Sequence, residues 1–362
     1  MYLNKILNKK KLTFDDICYL LALEDLEQIE QLRQKAENIL LKNIGNKISL
    51  RGLIEFSNYC IKDCLYCGIR KSITKNIERF ILTKNEVITC VDWALKKQFG
   101  SIVLQAGERT DKEFINYVLD IITTIKKISI SDKLPNGLGI TLSVGEQTEE
   151  TYKRFFDSGA HRYLLRIETT NETLFSQIHP KNQLFSNRLN SLKILRNIGF
   201  QVGTGVMIGL PNQTIEDLAK DILFFKEMDI DMIGMGPFIP HNDTPFANVK
   251  IESKTNFLLG LKMIAVLRLV MPYINIASTT ALETLNDEGR TLGLLYGANV
   301  VMPQLTPINY KNNYILYNNK PDIDETQDII FEKMVKNLEN INRKILINQW
   351  GDSLHFKNRL KK

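Results

Sequence analysis

The chain has 362 residues, of which 44% are hydrophobic and 24% are charged, a composition that is typical of a soluble globular protein with a large core. The formal net charge of +6 comes from 47 basic and 41 acidic residues without a basic stripe, so we predict no nucleic-acid binding. The first twelve residues lack the apolar centre of a secretory signal, and no window approaches the length of about 18 apolar residues that spans a bilayer, so we expect a cytoplasmic protein without membrane contact.

The first predicted elements are helices. Thr13 is a plausible N-cap, and apolar residues recur at helical spacing from there to about Asn43. From Ile48 onward, short runs rich in Val and Ile alternate with amphipathic stretches, which is the pattern of βα units around a parallel sheet. The eight apolar runs cover residues 50–56, 101–105, 139–143, 163–167, 201–208, 232–238, 274–279 and 299–302, and helical stretches between them include residues 85–98, 149–158, 214–228 and 253–269.

Eight such units predict an α/β fold, a (β/α)8 TIM-type barrel, rather than an open sheet. We expect a helical lead-in at 1–45, the barrel at 46–310, and a C-terminal helical extension at 311–362 that packs on the barrel and contains a final helix over about 324–345. In such barrels the chemistry lies at the carboxyl ends of the strands. Polar, glycine and proline residues follow the apolar runs at those ends.

Three of the five cysteines stand directly after the first apolar run, as Cys60, Cys64 and Cys67. This tight cluster suits a metal site better than a disulfide framework. Thiolates are the soft ligands of iron–sulfur clusters, and three of them can hold a cubane with its fourth iron open. A zinc site is the alternative, but it needs a fourth Cys or His, which is not supplied nearby. Cys18 and Cys90 are expected to be buried as small hydrophobes.

The cysteine motif resembles that of the radical S-adenosylmethionine (SAM) superfamily. The likeness rests on the Cys-x-x-x-Cys-x-x-Cys spacing, on Tyr66 before the third cysteine, and on the position of the loop after the first barrel strand. It implies a 4Fe–4S cluster whose open iron is chelated by SAM, and a reduced cluster that cleaves SAM to a 5′-deoxyadenosyl radical. A low-potential electron donor is implied as a partner.

Other strand ends resemble the cofactor-binding segments of the biotin-synthase-like branch. Gly107 and Glu108 correspond to an element whose backbone carbonyls meet the methionine ammonium, with Glu108 bracing the turn. Glu168 stands where the branch has an acid on the ribose hydroxyls, and Arg188 where it has an arginine facing the methionine carboxylate; a solvated helix charge is the alternative for Arg188. The residues implied for the cofactor are Tyr66, Gln105, Gly107, Glu108, Ser143, Glu168, Arg188, Met207 and Ile239, of which Met207 could equally be a core residue.

Longer matches resemble the HydE family of FeFe-hydrogenase maturases. They include the segments at residues 54–58, 103–108, 142–146, 163–169, 236–245, 278–281 and 297–303. The resemblance implies hydrogenase maturation, in which the diiron cofactor (the H-cluster) is assembled, with companion maturases as partners. It also implies that Arg166, Thr279, Thr280 and Tyr314 line a polar cavity for a small organometallic iron–cysteine substrate, although ordinary hydrogen bonding inside the barrel is their alternative interpretation. The accessory cluster of some members should be absent, because its C-terminal cysteines are missing.

Other functions remain as alternatives. Methylornithine synthase, a radical mutase, shares the branch and the single cluster, whereas Gln105 and the segment that ends at His241 favour HydE. Sulfur insertion as in biotin synthase is not expected, because that enzyme has strand cysteines where this chain has Gln105 and Ser143. A non-catalytic iron–sulfur electron carrier or scaffold would keep the three cysteines but has no need of Gly107, Glu168 and Arg188.

Overall fold

The computed structural model describes residues 2–361 and begins with three helices, α1 (Tyr2–Leu7), α2 (Phe14–Leu21) and α3 (Leu26–Asn43). The prediction that α2 begins after Thr13 is confirmed. The Thr13 hydroxyl accepts a hydrogen bond from the Asp16 backbone N–H, and the Asp16 carboxylate accepts one from the Thr13 N–H. This capping box satisfies two backbone donors at the helix start.

The rest of the chain alternates strands with helices. In chain order these are β1 (Lys47–Leu50), β2 (Gly52–Ser57), α4 (Lys84–Lys96), β3 (Ser101–Ala106), α5 (Lys112–Ile128), β4 (Gly139–Ser143), α6 (Glu149–Asp157), β5 (Ala160–Leu164), α7 (Glu172–Ile178), α8 (Phe185–Ile198), β6 (Gln201–Thr204), β7 (Met207–Ile208), α9 (Ile215–Glu227), β8 (Met232–Ile233), β9 (Gly236–Pro237), α10 (Ser253–Val270), β10 (Asn275–Ile276), α11 (Thr280–Leu285), α12 (Gly289–Leu295), β11 (Val300–Val301), α13 (Ile308–Lys311), α14 (Gln327–Asn340), β12 (Lys344–Leu346) and α15 (Leu354–Arg359).

The strands form a curled parallel sheet that closes on itself. Seven strands pair side by side in the order β10-β8-β6-β5-β4-β3-β2. The segment around β11 bridges the two edges: the Ser278 N–H donates to the Val300 carbonyl at 2.9 Å on one side, and the Leu53 N–H donates to the Pro303 carbonyl at 2.9 Å on the other. The predicted α/β barrel is confirmed, and the carboxyl ends of its strands meet at one mouth.

The internal strand boundaries differ from the apolar runs. β5 starts three residues before the predicted run and ends at Leu164, while Leu165 and Ile167 are buried in the loop beyond it. Burial continues past the strand end, so hydropathy does not mark where pairing stops. The runs over 201–208 and 232–238 each split into two short strands around Gly205 and Gly234. A Cβ on Gly205 would lie 1.9 Å from the Gly234 carbonyl oxygen, so the two backbones meet there with no room for a side chain.

The C-terminal end of the chain also departs from prediction. The predicted helix over 324–345 is too long, because α14 ends at Asn340 and Asn342 adopts a left-handed conformation with φ of 54°. Residues 344–346 then form β12, which pairs in parallel with β1. Cys90 is buried as expected, whereas Cys18 is only partly buried. Among residues 2–361, no helix combines the length and apolar composition needed to cross a membrane.

Candidate active site

A cavity of about 330 Å³ lies at the carboxyl ends of the barrel strands. Its wall includes every site residue that the sequence singled out, from segments that are far apart in the chain. These are Cys60, Cys64, Tyr66, Cys67, Gln105, Gly107, Glu108, Ser143, Arg166, Glu168, Arg188, Met207, Ile239, Thr279, Thr280 and Tyr314. The shared cavity is the geometric requirement for a common site, and the roles of the individual residues remain proposals.

The cysteine loop follows β2 directly and contacts the end of β3. The Glu108 backbone N–H donates to Cys60 Sγ at 3.3 Å. A Cβ on Gly107 would lie 2.3 Å from the Tyr59 carbonyl oxygen and 2.8 Å from Cys60 Cβ. Glycine is therefore required at position 107, because any side chain would push the strand end away from the loop.

Arg79 ties the two ends of the cysteine loop together. Its Nη1 donates to the carbonyls of Asn58 and Ile69 at 2.6 and 2.9 Å. Its Nη2 donates to those of Arg70 and Ile73 at 2.6 and 2.8 Å. One side chain thus holds backbone on both sides of the three cysteines. Sequence reasoning missed Arg79, because nothing in the motif indicates which cation will bridge the loop.

The three cysteines of the loop are half-buried free thiols. Burial raises the pKa of Cys60 and Cys67, and it raises that of Cys64 to about 12. Coordination to a metal deprotonates a thiol outright, so a bound metal would replace these protons. No three His, Cys, Asp or Glu side chains within residues 2–361 converge on a single ion. In a cubane each thiolate binds a different iron, and this donor set of three separate soft ligands fits a 4Fe–4S cluster.

Alternating charges run along the wall beside the cysteines. Lys62 Nζ lies 3.2 Å from Glu108 Oε1 and 3.6 Å from Glu146 Oε2. Glu108 Oε2 also accepts a hydrogen bond from the Glu146 backbone N–H at 2.9 Å. Burial raises the pKa of Glu108, although this backbone bond and Lys62 act in the opposite direction. Glu108 therefore braces the turn after β4. No role was predicted for Lys62 or for Glu146, although Glu146 ends the family-like segment at residues 142–146.

Arg188 is the cation at the end of this series. It is 7% exposed, so the alternative interpretation of Arg188 as a solvated helix charge is wrong. Its Nε donates to Glu146 Oε1 at 2.6 Å, and its Nη1 donates to the Arg166 carbonyl. Burial lowers the pKa of Arg188, but Glu146, Tyr66 and Glu108 together more than offset this effect, and the pKa lies above its usual value. A buried, permanently charged guanidinium of this kind suits a carboxylate ligand.

Glu168 occupies an uncommon backbone conformation. Its φ of 67° lies in the left-handed region, which non-glycine residues adopt rarely and often at functional sites. The Glu168 N–H donates to the Gly205 carbonyl at 3.0 Å, and its own carbonyl accepts from the Met207 N–H at 2.9 Å. The carboxylate is paired with Arg166, whose Nη2 lies 2.9 Å from Oε2. The backbone is thus fixed while the side chain faces the cavity.

Hydroxyl groups line another part of the cavity wall. Gln105 Nε2 donates to the Tyr314 hydroxyl at 3.3 Å. The Thr279 hydroxyl donates to the Met235 carbonyl at 3.3 Å, and Thr280 Oγ1 lies 2.5 Å from the hydroxyl of Tyr317. Tyr317, which sequence reasoning missed, also lines the cavity.

A buried ion pair, which also lines the cavity, contacts this part of the wall. Lys320 Nζ lies 2.6 Å from Glu55 Oε1 and donates to the Tyr314 carbonyl at 2.8 Å. Gln304 Nε2 donates to Glu55 Oε2 at 2.6 Å. Glu55 is 1% exposed and Lys320 is 5% exposed, so each buried charge is stabilised by its contact with the other. The two residues are 265 positions apart, and sequence reasoning missed them both.

The apolar part of the wall includes Met207 and Ile239, each 8% exposed. Met207 packs in a small cluster with Leu210 and Phe238, against which Tyr66 also lies. Both interpretations of Met207 are therefore compatible with its position, because the side chain is a core residue and also faces the cavity. Ser143 is the last residue of β4.

Comparison with known proteins gives consistent matches along the chain. Residues 54–225 match the radical SAM superfamily, and residues 236–333 match the biotin and thiamin synthesis associated domain. The chain is 41% identical to the FeFe hydrogenase maturase subunit HydE of Thermotoga maritima over 93% of both chains. It is 29% identical to the 3-methylornithine synthase of Methanosarcina acetivorans, over 93% of this chain and 91% of that protein. The crystal structure of a methylornithine synthase superposes with a TM-score of 0.81 at 26% identity, covering 96% of this chain and 98% of that one.

Proposed function

We propose that this chain, which belongs to the radical SAM superfamily and is a HydE-like enzyme with biotin-synthase-like homologues, acts in the maturation of an FeFe hydrogenase. The superfamily uses a 4Fe–4S cluster and SAM. The observation that carries the proposal is the 41% identity to a hydrogenase maturase over 93% of the chain. That span includes the whole cavity wall, from the cysteine loop to the hydroxyl-lined end.

In this proposal Cys60, Cys64 and Cys67 hold the cluster, which supplies the electron that cleaves SAM to a 5′-deoxyadenosyl radical. Arg188 binds the methionine carboxylate. Its Nε and Nη1 bind protein groups, while Nη2 has no protein acceptor within the described residues and can donate to a ligand. Glu168 accepts hydrogen bonds from the ribose hydroxyls, for which it exchanges its contact with Arg166.

The substrate end of the cavity is proposed to hold a small organometallic iron–cysteine compound. Arg166 supplies a positive charge there, and Thr279, Thr280 and Tyr314 supply hydroxyl groups, each of which has acceptor lone pairs as well as one O–H. The charge of Lys320 is neutralised by Glu55, so this end favours one anionic ligand rather than a highly charged one. Companion hydrogenase maturases and a low-potential electron donor are the proposed partners, and the cytoplasm is the proposed location.

A radical mutase like methylornithine synthase is the second candidate, and the TM-score of 0.81 to such an enzyme favours it. A non-catalytic iron–sulfur carrier is a weaker candidate. A carrier has no use for a buried arginine and a conformationally strained glutamate facing a cavity beside the cluster loop.

The test uses the anaerobically reconstituted, reduced protein. We expect release of 5′-deoxyadenosine and methionine, and loss of hydrogenase activation when this protein is omitted from a maturation mixture. Analysis of amino-acid products for 3-methylornithine tests the mutase in parallel. Full hydrogenase activation without the protein, together with formation of 3-methylornithine, would replace the first proposal by the second.

A further inference from the structure

Gln183 lies beside the second cysteine of the cluster loop. The Cys64 thiol donates to Gln183 Oε1 at 3.6 Å. Gln183 is 4% exposed and lines the cavity. Its Nε2 is buried without a hydrogen-bond partner in the part of the chain that the structure describes. An unpartnered buried amide N–H group is costly, typically by about 1 to 3 kcal/mol, so its position next to a metal ligand needs an explanation.

Two contacts hold the segment that carries Gln183 against the cysteine loop, and a backbone hydrogen bond within the segment positions Gln183 itself. The Leu65 N–H donates to the Ile178 carbonyl at 2.9 Å. The Tyr66 hydroxyl lies 3.3 Å from Nε2 of His179, whose other ring nitrogen is 2.9 Å from the Phe175 carbonyl. The Gln183 N–H itself donates to the Pro180 carbonyl at 2.8 Å. The carboxamide is therefore held at Cys64, and its remaining freedom is rotation of the amide group.

The hydrogen bonding at this contact changes when Cys64 becomes a cluster ligand. A thiolate has no proton to donate, so Oε1 and Sγ would then be two acceptors facing each other. Rotation of the amide by about 180° exchanges Oε1 and Nε2. The same rotation gives the orphaned N–H group an acceptor and gives the thiolate a donor. Both unfavourable contacts are thus removed by one movement of one side chain.

We propose that Gln183 donates an N–H···S hydrogen bond to the Cys64 thiolate of the bound cluster and thereby raises the reduction potential of that cluster. The inference rests on the proposed cluster ligation and assigns a residue that tunes the reduction potential of the ligated cluster. Reduction adds one electron to the cluster, and the extra negative charge is shared with its sulfur ligands. A donor aimed at one of those sulfurs stabilises the reduced form more than the oxidised form, and hydrogen bonds to sulfur are among the factors that set cluster potentials.

The experiment is a redox titration of the cluster in the full-length protein, with titanium(III) citrate as the reductant and the EPR signal of the reduced cluster as the readout. Gln183→Leu removes the donor and keeps a side chain of similar bulk. We expect the equilibrium constant for reduction to fall about tenfold, which corresponds to about 59 mV for one electron. Gln177→Leu is the matched control, because Gln177 is exposed on the neighbouring helix α7. The cluster in this variant should have the reduction potential of the wild-type cluster.

Iron analysis separates this inference from the proposed function. A Gln183→Leu protein with a full iron content and the wild-type potential would overturn the role of Gln183 and leave cluster ligation standing. If Gln183→Leu does not take up iron, the same titration of Gln183→Met decides, since Met also lacks an N–H donor. Failure of the wild-type protein to bind a cluster would instead contradict the proposed function.

Discussion

Replacement of Arg188 by alanine should weaken SAM binding and leave the cluster intact. The lost contact is one charge-assisted hydrogen-bonded pair between the guanidinium and the cofactor carboxylate. Such a contact contributes about 1.5 to 3 kcal/mol, and each 1.4 kcal/mol is a factor of about ten in affinity. The expected loss is therefore roughly ten- to hundredfold in Kd. Anaerobic calorimetric titration of the cluster-loaded protein measures it directly.

We expect this substitution also to affect the wall of the cavity, because Arg188 contacts Glu146 there. Arg188→Ala removes the partner that lies 2.6 Å from Glu146, and Lys62 at 3.6 Å compensates only in part. Glu146→Gln is the control, because it removes the carboxylate charge and keeps the guanidinium. If Arg188 contacts the cofactor, Glu146→Gln should retain SAM affinity close to that of the wild type. Arg188→Lys should fall between wild type and alanine, because the planar fork is lost but the charge remains.

Two outcomes would refute this reasoning. An unchanged Kd in Arg188→Ala would show that the side chain does not contact the cofactor. An equal loss of affinity in Arg188→Ala and Glu146→Gln would show that the ion pair shapes the cavity wall and that the guanidinium has no direct contact. The iron content must stay at the wild-type level in all three variants, because neither Arg188 nor Glu146 is a proposed cluster ligand.

Replacement of any one motif cysteine by alanine should abolish cluster assembly, since two protein ligands hold a cubane poorly; full iron loading of all three variants would contradict the assignment of the ligands. The double variant Thr279→Val/Thr280→Val should keep its iron and its 5′-deoxyadenosine formation but lose hydrogenase maturation, and wild-type maturation would refute the substrate site. Thr279 makes no side-chain capping bond to α11, so loss of a cap is not expected. Burial raises the pKa of Asp221 to about 7, above its ordinary value of 3.8. Because the folded state holds this proton more tightly than the unfolded state, the associated stabilisation is complete below about pH 4 and is lost as the pH rises through about 7. Asparagine does not titrate, so the Tm of Asp221→Asn relative to that of the wild type should increase over that range. A Tm difference that stays constant with pH would contradict the raised pKa.

The sequence predicts the positions of the barrel strands along the chain well, because most of these strands are short, largely apolar and buried. It does not predict where pairing stops. Leu165 and Ile167 are as apolar as the strand before them but lie in the loop that carries the site. Gly205 and Gly234 interrupt two strands through a contact between distant segments. Strand β12 is a third case, since it depends on β1, which lies about three hundred positions earlier.

The site shows the same division between local and long-range information. Many of its cavity-facing residues could be predicted, because the carboxyl ends of parallel strands converge in a barrel and motif residues stand at those ends, whereas Tyr317 and Gln183 were missed. The residues that hold them in place could not. Arg79 binds four carbonyl groups around the cysteine loop, and Lys320 neutralises a glutamate 265 positions away. The composition of neither segment indicates such a partner. Short motifs thus identify the reactive residues of this barrel, whereas the side chains that position them come together only in the folded chain. We therefore expect substitutions of Arg79 to disturb cluster binding, although Arg79 is not a proposed ligand.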